Sequence, residues 1–111
     1  MTRTTKEQNL AAKWRYRSGV VERQVELRAL QKALFTADFA TAARYLHKLD
    51  ELIKNIEAFP TMGQATGKEN YRYSVLGSSS PGEGDVLVWS WDGSSLVGEG
   101  VYQSLPPEYL P

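Results

Sequence analysis

The sequence predicts an α+β protein: an N-terminal antiparallel α-helical hairpin followed by a small three-stranded antiparallel β-sheet, in a single domain over residues 1–111. Three observations predict it. Apolar residues recur at steps of three and four up to Phe59, the period of a helix face. Beyond Pro60 the period falls to two, as in strands. A length of 111 residues, with 41% hydrophobic and 23% charged composition, provides one modest core and no second one.

Helix 1 is expected over 5–35. Thr4 and Glu7 have the Thr-x-x-Glu spacing of a capping box. Gly19 lies inside the span, at a cost of about 1 kcal/mol relative to alanine, and marks where a bend or break would fall. At 100° per residue the apolar side chains form two stripes. Tyr16, Val20, Leu27, Leu30 and Leu34 make one, of which Leu27, Leu30 and Leu34 are assigned to packing on helix 2. Leu10, Trp14, Val21 and Val25 make the other, which has no intrachain partner and is assigned to an oligomer or partner interface.

Helix 2 is expected over 37–59, capped by Thr36 or Asp38. Phe39, Ala42, Leu46, Leu49, Ile53 and Ile56 recur as a packed seam, widened by Tyr45, Leu52 and Phe59. The short link makes the two helices antiparallel neighbours. Phe59-Pro60, with Gly63 beyond, ends the helix.

The sheet is expected within 70–104. Asn70–Leu76 alternates; Gly77–Gly84 reads as a loop; Asp85–Asp92 and Leu96–Ser104 read as strands joined across Asp92-Gly93-Ser94-Ser95. That turn sets Trp91 opposite Leu96, Trp89 opposite Gly98 and Leu87 opposite Gly100. It sets Ser90/Val97, Val88/Glu99 and Val86/Val101 on the other side. Residues 105–111, rich in proline, form an extended tail. One sheet face lacks a cover in this scheme.

Function has to be argued from surfaces. Without cysteine, disulfides and thiolate chemistry are excluded. The lone His47 cannot fill a metal site, Ser78–Ser80 lack a nucleophile elbow, and the acids Glu83, Asp85, Asp92, Glu99 and Glu108 read as solubilising charges. No catalytic residue, metal or cofactor is assigned, and an enzyme ranks last. No signal peptide or membrane span is visible, so a cytoplasmic location is expected.

The net charge is zero but lopsided: residues 1–32 hold eight basic and three acidic side chains, and the remainder five and ten. Lys13, Arg15, Arg17, Arg23 and Arg28 are therefore assigned to an anionic partner. Tyr71, Tyr73, Trp89, Trp91 and Tyr102 form a candidate aromatic binding face, with at least one tryptophan expected in the core. The leading expectation is a non-enzymatic, self-associating interaction or adaptor protein, in the style of a phage or bacterial accessory protein. It would pair with itself and bind or occlude a protein partner. The alternative is a nucleic-acid or nucleotide-binding accessory protein using the Lys13-Trp14-Arg15-Tyr16-Arg17 segment.

Overall fold

Ser18 decides where the first helix starts. In the computed structural model, which describes residues 12–76 and 85–111, Ser18 is extended and its Oγ accepts the Val21 amide at 3.3 Å. That is the N-cap bond that satisfies one of the four orphan amides of a helix start. Helix α1 runs Gly19–Thr36. The residues before it form strand β1, Trp14–Tyr16. Within the described residues the expected helix 5–35 is thus corrected to a strand followed by a helix that begins at Gly19. Lys13-Trp14-Arg15-Tyr16-Arg17 alternates basic and aromatic with period two, which is strand chemistry. The expected capping box at Thr4–Glu7 and the Gly77–Gly84 loop lie outside the described residues.

Helix α1 ends at Ala37, which adopts the left-handed conformation at φ 55° and donates its amide to Ala33 and Leu34 carbonyls. Asp38 Oδ1 then accepts the Ala40 amide at 3.0 Å as α2, Ala40–Ala58, begins. The helices pack on one another as a hairpin. Strands β2 (Gln64–Ala65), β3 (Tyr71–Val75), β4 (Val86–Trp91) and β5 (Leu96–Tyr102) follow, and a 3-10 turn spans Pro107–Tyr109.

The sheet has five strands and is mixed, in the order β1-β5-β4-β3-β2. The α+β class stands, whereas the three-stranded antiparallel sheet is corrected. Strand β1 adds itself parallel to β5, and the two-residue β2 adds to the far edge. The β4–β5 register matches the turn-based expectation at Trp91/Leu96, Ser90/Val97 and Trp89/Gly98. Beyond that point a bulge at Glu99 shifts it by one residue, giving Val88/Gly100, Leu87/Val101 and Val86/Tyr102.

Each sheet face carries its own core. The helix side holds Val25, Ala29, Tyr45, Leu49, Ile56, Leu76, Leu87, Trp89 and Leu96. The other side holds Val86 and Val88 under Tyr109, with Tyr71, Tyr73, Tyr102 and Leu105 packed around them. The tail is therefore the second layer: its proline-rich turn lies on the face that the sequence left uncovered. Gly67 lets it in, donating its amide to the Tyr109 carbonyl at 2.9 Å while sitting so close to the Leu110 backbone that a Cβ would clash.

Candidate interaction surfaces

Strand alternation places the β1 side chains. Trp14 and Tyr16 point to the helix side and meet edge to face, 5.6 Å apart. The Trp14 ring covers Gly98, where a Cβ would run into it. The cover over that bare position is thus Trp14, where cross-strand pairing alone pointed to Trp89. The Trp14 amide is held by Glu57 Oε2 on α2 at 2.8 Å. Of the expected interface stripe, Val25 is buried in the core, Trp14 and Val21 are half-buried against the molecule, and Leu10 lies outside the described residues.

The five expected anion-binding residues separate. Lys13, just before the edge strand β1, and Arg15 on it are exposed, and Arg23 is exposed on α1. Arg17 forms a forked ion pair with Glu99, which also accepts the Ser90 hydroxyl at 3.0 Å. Arg28 is built into the fold. Its Nε and Nη2 donate to Asp85 at 2.8 and 3.0 Å, the Tyr45 hydroxyl donates to the same carboxylate at 2.6 Å, and Lys32 Nζ lies 3.4 Å away. Asp85 is 1% exposed, a buried charge compensated on three sides. Sequence inspection assigned it to the solvent.

The five aromatics do not form one face. Trp89 is fully buried on the helix side, its indole donating to the Pro60 carbonyl at 3.0 Å, and Trp91 is half-buried beside it. Tyr71 and Tyr73 pair with Ser90 and Val88, so they occupy the opposite side together with Tyr102. There Tyr109 lies 5.7 Å from the Tyr71 ring and 6.3 Å from Tyr102, with Lys68 Nζ 5.3 Å from both Tyr71 and Tyr109.

Among the described residues, leucines that the sequence places inward form an open apolar face. Val20, Leu27, Leu30 and Leu34 lie on one face of α1, each at least 50% exposed. At the hairpin tip Phe35 is 93% and Phe39 76% exposed. The missed signal is Ala29 and Ala33. These small side chains, with Val25, face the sheet and α2, allowing close packing, and turn the leucines outward.

Two other features fall short of a site. A depression of about 530 Å³ lies between the β2–β3 connection and the β4–β5 turn, lined by Thr66, Lys68, Asn70, Arg72, Trp91 and Asp92 among others. Its Arg72 is turned to the Met62 and Gly63 carbonyls, and Lys68 to the tyrosines. His47 lies 3.0 Å from Glu51 on the exposed face of α2. Among the described residues no three His, Cys, Asp or Glu side chains are grouped so as to hold a metal ion, and no helix is long and apolar enough to cross a membrane.

No family model, curated protein or solved structure matches this chain. The exposed α1 face, the basic edge strand and the tail-covered tyrosines are therefore the ground on which function is argued.

Proposed function

We propose that this protein is a non-enzymatic interaction module that works in the cytoplasm, self-associates, and binds or occludes a macromolecular partner. One observation carries the reading: the Val20/Leu27/Leu30/Leu34 face of α1, continued by Phe35 and Phe39, is apolar and open. An exposed apolar patch of that kind marks an association site. Burying such side chains contributes roughly 1 kcal/mol or more each toward offsetting the entropy of association.

The test is light scattering after size exclusion over a range of concentrations. The native chain is expected to self-associate, and Leu27→Asp with Leu34→Asp is expected to be monomeric with an unchanged circular dichroism spectrum. A native chain that stays monomeric at every concentration would sink the reading.

A nucleic-acid or nucleotide-binding function is the second reading, favoured by the alternation of β1. Arg15 and Arg17 lie on the side of the sheet that holds Tyr71, and Lys13 and Arg15 are exposed. Binding would then weaken steeply with salt and with Lys13→Ala and Arg15→Ala.

A further inference from the structure

The spacing along the exposed α1 face names its occupant. Val20, Arg23, Leu27, Leu30 and Leu34 follow one another at steps of three, four, three and four, the two-position seam of a helix pair. We infer that a second copy of this chain packs on this seam as an antiparallel, two-fold α1–α1 pair, an inference that rests on the self-association proposed above and specifies its geometry.

Area supports a homodimer. Val20, Leu27, Leu30, Leu34, Phe35 and Phe39 are each at least 50% exposed, and together they offer an area on the order of the ~800 Å² per partner in a standard interface. A two-fold contact also requires a patch that complements itself.

Charge sets the direction. In a parallel pair Arg23 would face its own copy across the seam, two like charges in a desolvated position. In the antiparallel pair Leu27 faces the partner's Leu30, and Leu34 faces the partner's Arg23. The guanidinium then lies over the last turn of the opposing α1. That turn carries no basic residue of its own, and a helix C-terminus attracts a cation. Gln24 and Gln31 flank the seam and bring no charge of either sign. Val20 falls beside the partner's hairpin tip, where Phe35 and Phe39 close over it.

The absence of native cysteine makes the geometry directly readable, because any introduced thiol reports alone. Gln24→Cys and Gln31→Cys, both at exposed positions, are mixed and oxidised mildly, with each variant alone and Leu34→Cys alone as comparisons. The expected result is a cross-chain disulfide in the mixture, with little in any single variant, and a dimer dissociation constant about tenfold higher for Arg23→Glu. A disulfide in Leu34→Cys alone would mean a parallel pair and overturn the inference. A dimer without the mixed disulfide would place the interface elsewhere; either result leaves self-association standing. A monomer at all concentrations would overturn both.

Discussion

At the scale of single residues, Asp85 is the one charged side chain that is buried among the described residues. It heads β4 and receives hydrogen bonds from Arg28 on α1 and Tyr45 on α2, so one carboxylate ties both helices to the sheet. Burial alone would raise its pKa. The hydrogen bonds from Arg28 and Tyr45 outweigh burial and hold the carboxyl below its usual value. Burial, followed by the nearby Asp85 carboxylate, pushes the Tyr45 phenol upward. A depressed carboxyl contributes stability that is complete above the unfolded-chain value near ~4 and is lost as pH falls through the folded value. Urea unfolding is therefore expected to show native stability dropping below about pH 4. Asp85→Asn should be about 3 kcal/mol less stable at pH 7 and lack that acid-dependent component. Nothing in the sequence distinguishes Asp85 from the solvated acids near it, because its partners are 40 and 57 residues away. Arg28 misled for the same reason: a charge on a helix reads as surface until its partner in space is known.

At the scale of elements, α1 is the instructive case, and its two faces exchange the roles expected of them. Val25, Ala29 and Ala33 pack inward, and the larger Leu27, Leu30 and Leu34 face out. Hydrophobicity ranks leucine above alanine for burial, but a close helix crossing favours the smaller side chain, and no periodicity argument contains that choice. Val25→Ala is therefore expected to lose roughly 1–2 kcal/mol in chemical denaturation. Leu34→Ala, measured at concentrations low enough for monomers, should stay within about 0.5 kcal/mol. Equal losses would contradict the burial of the alanine face. Helix α2 was legible in part: Leu49 and Ile56 of the expected seam, with Tyr45 beside them, are buried, whereas Phe39 and Leu46 of that seam and the flanking Phe59 are exposed. The β4–β5 hairpin was legible for its first three pairs, set by the turn. Its register then slips at Glu99, whose carboxylate is engaged by Arg17 and Ser90. Strand β1 escaped notice because three residues with period two fit inside a helical window.

At the scale of the whole molecule, the sheet is a central layer between a helical hairpin and a tail. The sequence indicated that one hairpin cannot cover both apolar faces of the sheet. It did not show that the proline-rich segment supplies the missing cover, since proline excludes a strand but says nothing about where an extended chain docks. Tyr109, 5% exposed over Val86 and Val88, closes that second core. Tyr109→Ala is expected to lower stability by about 3 kcal/mol and to raise binding of a dye that reports exposed apolar surface; an unchanged melting temperature would remove the tail from the core. The pairing of β1 with β5 has a consequence in time. Synthesis proceeds from the N-terminus at roughly 5–20 residues per second, and Trp14 docks on Gly98, most of the described chain later. For several seconds a nascent chain would carry a leucine-faced hairpin and an unpaired tryptophan with no sheet to receive them, so chaperone demand during translation would exceed what the size of the finished domain suggests.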